Sequence, residues 1–190
     1  MRYTSFFAAI LAVVFLAACG GGQGENIPPA PAPSASPENK AEAVVIATYQ
    51  TGLFDKRPGR LKNIRIACEA VNGKEIAPGE IFSFNDTVGP RTPGRGFEKA
   101  IIFVRGAKVM ETGGGICQLS TTIYNAAMMA NLEIVERHKH ERVVDYAKNG
   151  NDATVAFGSA DMRFKNTLAK PIILNAELAE DGVYVNLSKQ

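Results

Sequence analysis

Thr112-Gly113-Gly114-Gly115-Ile116-Cys117-Gln118-Leu119-Ser120-Thr121-Thr122 is the stretch on which the reading of this chain turns. Three glycines deliver a cysteine to the start of a helix. The spacing of Leu119, Ile123, Ala126, Ala127 and Ala130 predicts that helix over residues 118–131, with Asn131 as its stop. A glycine run opens positive φ and lets another chain approach closely. A thiol at a helix N-terminus feels the positive end of the macrodipole, which favours the thiolate. The same terminus leaves backbone N–H groups without helical partners, so Gly115, Ile116, Cys117 and Gln118 are the expected oxyanion donors. The competing reading is a buried cysteine behind a tight turn, because free cysteines are among the most buried residues.

Working outward, both histidines of the chain lie in Glu136-Arg137-His138-Lys139-His140-Glu141-Arg142. They follow Leu132, Ile134 and Val135, which read as a strand leaving the helix. On a strand, residues two apart share a face, so His138 and His140 are expected to point the same way as Leu132 and Ile134. A helix returning as a strand brings one imidazole back toward Cys117, the usual arrangement for a thiol nucleophile. A metal site is the weaker reading, since two histidines and a cysteine lack a recognisable ligand spacing.

The chain start has Arg2 and an apolar run over residues 6–15, too short to span a bilayer. It ends in Leu16-Ala17-Ala18-Cys19, which resembles a bacterial lipobox and implies cleavage before Cys19 and lipidation of its thiol. Gly20 follows, without the aspartate of inner-membrane retention, so a two-membrane cell would carry the anchor in its outer membrane. Pro28, Pro29, Pro31, Pro33 and Pro37 mark a tether that cannot bury enough apolar surface to fold. The expected division is residues 1–18 signal peptide, 19–42 lipidated tether and 43–190 folded domain. With 46% hydrophobic and 21% charged residues the domain can build a core, and a net charge of +2 argues against a nucleic-acid partner.

Within the domain, Val44-Val45-Ile46-Ala47-Thr48-Tyr49 reads as a strand, and residues 52–59 as a loop. Leu61, Ile64, Cys68 and Val71 form one stripe of a helix closed by Asn72-Gly73. A short strand over residues 81–84 precedes a turn-rich loop over 85–96, and strands over 100–104 and 108–110 form a hairpin. Short strands follow at 153–157, 162–164, 172–176 and 183–187. The fold class is therefore α+β, a mainly antiparallel sheet with two principal helices in a single compact domain.

Pro78-Gly79-Glu80-Ile81-Phe82-Ser83-Phe84-Asn85, the run through Gly89-Pro90-Arg91-Thr92, the glycine–cysteine stretch, Glu136-Arg137-His138-Lys139-His140 and Gly150-Asn151-Asp152-Ala153-Thr154-Val155 together resemble the VanW domain family. That family is named for an accessory protein of vancomycin-resistance clusters, and the likeness covers roughly residues 48–176. It implies L,D-transpeptidase activity on peptidoglycan, with Cys117 as nucleophile and 3-3 cross-links as product. His138 or His140 would act as base and acid, oriented by Asp152 or Asp161. Arg91, Arg137 and Arg163 would meet the stem carboxylates, and Ser120 and Thr121 would contact substrate. No metal and no cofactor is expected. The expected partners are peptidoglycan stem peptides and, through the lipid on Cys19, a membrane; the expected location is the extracytoplasmic face of the cell envelope. A non-catalytic peptidoglycan-binding lipoprotein with a glycopeptide-resistance role and an L,D-carboxypeptidase remain as alternatives. Glu141, Lys139 and Cys68 depart from the family pattern. Cys68 also raises a disulfide with Cys117 as a rival to a nucleophile, although its place on an apolar stripe favours a buried free thiol.

Overall fold

The computed structural model describes residues 43–104, 107–148 and 150–190. The signal segment, Cys19 and the tether expected over residues 1–42 lie outside the described residues, as does the tip of the hairpin at Arg105-Gly106.

Strand β1 (Val44–Gly52) extends the expected β-branched run to its glycine. Helix α1 (Pro58–Val71) begins inside the expected loop, because Pro58 suits the first helical turn, where its missing N–H has no partner to lose. Its buried face carries Asn63, Ile64, Ala67, Cys68 and Val71. Gly73, at φ 74°, turns the chain into β2 (Lys74–Ile76). Strand β3 (Ile81–Ser83) stops one residue short of the expected strand. Ser83 is a helix cap: its hydroxyl accepts from the Asp86 N–H at 3.0 Å and starts α2 (Phe84–Val88) inside the expected loop. A single 3-10 turn, Pro93–Arg95, fills the rest of that loop.

The hairpin of β4 (Lys99–Val104) and β5 (Ala107–Thr112) runs straight into the glycines. Helix α3 (Cys117–Met129) follows, and Asn131 ends it at φ 53° in the left-handed region. Next come β6 (Glu133–Glu136), β7 (Arg163–Lys165), β8 (Ile172–Leu178) and β9 (Gly182–Lys189). Residues 153–157 form no strand; Thr154 and Ala156 make isolated bridges instead, to His138 and Ala160.

The strands form three antiparallel sheets: β1-β9-β8-β2, β3-β7-β6 and the β4-β5 hairpin. Helix α1 packs on β8, α3 packs on β1 and β9, and the two helices touch. Alternate residues of β8 (Ile172, Leu174) and β9 (Val183, Val185, Leu187) are fully buried beneath them. Ala67 on α1 and Ala126 and Ala127 on α3 are also fully buried, so the helices can approach closely. In the second sheet Phe82 and Phe164 stand opposite each other with ring centroids 5.1 Å apart. The α+β class and the two principal helices are as expected. No helix among the described residues is long and apolar enough to cross a membrane.

The alternation expected to put both histidines on one face fails. Strand β6 ends at Glu136 after an irregularity between Ile134 and Glu136, so the period of two does not extend to residue 140. His138 is exposed and His140 is half-buried.

Phe164 is fully buried and joins the second sheet to the core. Phe164→Ala is expected to lower the unfolding free energy by about 3–5 kcal/mol. Urea titration checks this through a lower midpoint at unchanged slope.

Candidate active site

The glycine loop is shaped by what lies against it. Gly113 has φ 88°, and a Cβ there would stand 2.7 Å from the Arg91 Cβ. At Gly114 a Cβ would meet the Ala100 carbonyl oxygen at 2.9 Å. The loop therefore lies flush on β4 and Arg91 only because side chains are missing. Asn63, buried on α1, clamps it: Nδ2 donates to the carbonyls of Glu98 (2.9 Å) and Gly114 (3.0 Å), and Oδ1 accepts from the Glu98 N–H (2.8 Å). Gln118 fixes the start of α3 from the other side. Its Nε2 donates to the Gly52 carbonyl (3.0 Å) and Thr51 Oγ1 (3.1 Å), and its Oε1 accepts from Arg60 (2.6 Å).

Cys117 is thereby placed as the first residue of α3. Of the four expected oxyanion donors, two are already used within the turn: Gln118 N–H donates to Gly115 O at 3.0 Å and Ile116 N–H to Gly113 O at 3.5 Å. The N–H groups of Gly115 and Cys117 have no backbone acceptor among the described residues. The donor set contracts to those two.

Asp152, a buried carboxylate, holds His140 at two points. Its Oδ2 accepts from the His140 backbone N–H and pairs with Nδ1, both at 2.6 Å. So held, the imidazole acts on the Cys117 thiol, each shifting the other's titration. The sulfur also lies 3.5 Å from Thr154 Oγ1 and 3.6 Å from the Val155 carbonyl oxygen. The result is a Cys117–His140–Asp152 series. The histidine selected is His140; His138 turns outward and pairs with Glu136 at 2.9 Å.

Burial alone would raise the thiol's pKa, but the hydrogen bond and positive charge of His140, with help from Thr154, bring it below its ordinary value. For His140, burial disfavours the cation, yet the facing thiolate and Asp152 outweigh it and raise the imidazole above its usual value. Burial likewise opposes ionisation of Asp152, and the hydrogen bonds from His140 overcome that and keep it low. All three shifts favour a thiolate–imidazolium pair braced by a carboxylate, the arrangement of an activated cysteine nucleophile.

The profile of the family described as VanW like protein matches residues 59–188, a span holding every residue of this cluster. The chain belongs to the VanW-like family. It is 38% identical over 172 residues to the uncharacterized protein YoaR of Bacillus subtilis, covering 87% of this chain and 57% of that protein. It is 30% identical over 126 residues to the vancomycin B-type resistance protein VanW of Enterococcus faecalis, covering 62% of this chain and 45% of that protein. The chain thus spans about half the length of these relatives. No solved structure gives a significant match.

Around this VanW-like cluster the other expected residues divide by what already occupies them. Ser120 and Thr121, expected to touch substrate, are fully buried and spend their hydroxyls on the Ala153 backbone; Ser120 Oγ donates to Ala153 O at 2.7 Å and Thr121 Oγ1 accepts from Ala153 N at 2.9 Å. They hold the segment that carries Asp152. Arg137 is occupied too. It donates to the carbonyls of Asp152 (2.6 Å) and Gly150 and lies over the Tyr124 ring, so its charge braces the same segment. Arg163 stands 3.9 Å from Glu136. Asp161 orients no histidine: its oxygens accept from Ser83 Oγ (2.5 Å), Asn85 N and Met162 N. Among the described residues Arg91 has no hydrogen-bond partner on any of its three buried guanidinium nitrogens, and Arg163 has no partner beyond its ion pair with Glu136.

Asn63, Arg60, Thr154 and Tyr146 were not singled out by the sequence, and Gln118 was singled out only for its backbone N–H. Tyr146 stands edge-on to His140 (6.3 Å) with Arg60 over its ring (5.9 Å), and it also lines a cavity of about 470 Å³ with Tyr49, Phe54, Met129 and Asp145. Only Gln118 carried a usable signal, a polar residue within the first apolar turn of a helix. Cys68 is free and buried, and burial pushes its thiol up to about 12, so it is neutral and packed. Cys117 is free as well.

The lowering of Cys117 and the raising of His140 both favour the ion pair over the neutral pair; protonation of the thiolate as pH falls and deprotonation of the imidazolium as pH rises each remove it. The Cys117 alkylation rate against pH is expected to rise at a pH below that of a free cysteine. His140→Ala should move that rise upward, toward the ordinary thiol range near 8.5. Mass mapping after native alkylation should find Cys68 unmodified.

Proposed function

We propose that this chain is a cysteine acyltransferase of the cell envelope, an L,D-transpeptidase acting on peptidoglycan stem peptides. The observation that supports it is the Cys117–His140–Asp152 series at the start of α3. Membership of the VanW-like family, with a relative named for vancomycin B-type resistance, supports a reading in which the substrate is the target of that antibiotic class, the cell wall. Lipidation at Cys19 and the proline-rich tether would hold the domain at the extracytoplasmic membrane face, within reach of that polymer.

The reaction runs in two halves. His140 takes the Cys117 proton, and the thiolate attacks the carbonyl joining the third residue of a tetrapeptide stem to its terminal D-Ala. The oxygen becomes an oxyanion facing the N–H groups of Gly115 and Cys117. As the intermediate collapses, the C–N bond breaks, and the D-Ala amine leaves with the proton from His140. A thioester remains. His140 then takes a proton from the amine of a neighbouring stem, which attacks the thioester; the new amide forms and the Cys117 thiolate is released. Asp152 keeps the imidazole oriented and favours its cationic form in both halves.

The intact mass of the chain before and after incubation with a purified tetrapeptide stem tests this. The expected result is an adduct of the stem minus D-Ala on Cys117, absent from Cys117→Ala and formed about 10²–10⁴-fold more slowly by His140→Ala. Adding an acceptor stem should discharge it to a cross-linked dimer. Discharge only to free tripeptide would make the protein an L,D-carboxypeptidase. No adduct with both thiols free would overturn catalysis and leave a stem-binding protein.

A further inference from the structure

Among the described residues, Arg91 holds a guanidinium that is buried without a hydrogen-bond partner or an ion pair in contact with it. All three guanidinium nitrogens are buried and make no hydrogen bond. One face of the group is covered by the Phe84 ring at 5.4 Å and another ring, Phe157, lies at 5.8 Å. Such contacts offset part of the desolvation of a guanidinium but satisfy none of its five N–H donors. The nearest carboxylate that it senses, Asp161, has its oxygens committed to Ser83, Asn85 and Met162. An isolated buried charge is costly unless something pairs with it. The group is close to the chemistry: its Cβ and Cγ press on Gly113, four residues before the nucleophile, and its charge interacts with Cys117.

We propose that Arg91 is the subsite for the free α-carboxylate of the residue that leaves, so that the protein acts only on the last peptide bond of a stem. The inference rests on the acyl-transfer reading above and adds a requirement that the reading does not contain. Aromatic faces on the guanidinium leave its edge for a ligand in its own plane, which is the geometry of a bidentate carboxylate. With the carboxylate there and the scissile carbonyl at Cys117, a single residue is required to span the two groups. A stem one residue longer would carry its carboxylate too far along and leave Arg91 unpaired. Entry requires displacement of the Phe157 turn, whose ring is 54% exposed and whose neighbour Gly158 has φ 82°.

Titration calorimetry of the Cys117→Ala chain tests the subsite without chemistry, with the tetrapeptide stem supplied as free acid and as C-terminal amide. The acid is expected to bind about ten- to hundredfold more tightly, the range of a charge-assisted hydrogen-bond pair. In an Arg91→Gln background the preference should vanish, and Arg91→Lys should keep only part of it. Equal affinity for acid and amide, or no saturable binding of either, overturns the proposal with Arg91 intact, so it does not depend on how the variants fold. A preference that survives Arg91→Gln also overturns it; an upward shift of the alkylation profile in an Arg91→Gln chain that retains Cys117, alongside such a surviving preference, would make Arg91 a partner of the thiolate instead. A preference for the acid without any thioester in the mass experiment would retain the subsite and sink the acyl-transfer reading.

Discussion

A buried carboxylate, Asp152, is the interaction around which the site is assembled. A charge taken out of water must be paid back in hydrogen bonds, and the stretch from Arg137 to His140 is bent to supply them. His140 gives its backbone N–H and Nδ1, and Arg137 approaches one oxygen at 3.5 Å. The segment that carries Asp152 is in turn pinned to α3 through Ser120, Thr121 and Asn125, whose polar groups all reach the backbone of residues 151–153. The helix that presents the nucleophile therefore also holds the group that orients its base. Displacement of either end disturbs both.

The two thiols show how far surroundings decide chemistry. Cys68 and Cys117 both sit on helices that touch each other. One is enclosed by apolar side chains and is driven up to about 12; the other faces an imidazole and falls below its ordinary value. Desolvation acts on both in the same direction. What differs is the charge in reach: around Cys68 the carboxylates Glu69 and Glu177 add to desolvation and outweigh Arg65, whereas His140 overcomes desolvation at Cys117.

Much of this was legible in the sequence where it depended on local pattern. The glycine run, the period of α3 and the stop at Asn131 are properties of neighbouring residues, and they place Cys117 correctly. The strand-to-helix switch at Ser83 carried a local sign as well, a serine three residues before Asp86, yet the apolar Ile81-Phe82-Ser83-Phe84 run masks it. The choice of His140 over His138 was not legible, because it depends on an irregularity in β6 and on a contact with Asp152 twelve residues later. Nor could the arginines be ranked from sequence. Arg137 is spent on backbone carbonyls and Arg91 is spent on nothing, a difference created wholly by long-range packing. The pairing of β1 with β9 joins the two ends of the domain across more than a hundred residues and leaves no periodic trace.

That pairing has a mechanical meaning. Val44 lies opposite Lys189 at one end of β1, while Thr51 and Gly52 at the other end bind Gln118, the neighbour of the nucleophile. Nine residues of strand separate the two ends, about 30 Å of extended chain. Tension between the N-terminal end of β1 and the start of α3 at Cys117 runs along the strand axis, across hydrogen bonds that stand perpendicular to it. Those bonds share the force in shear. Tension between Val44 and Lys189 would instead open the ladder one rung at a time. The fold is stiff along the line that joins its entry to its nucleophile and weak across its own two ends.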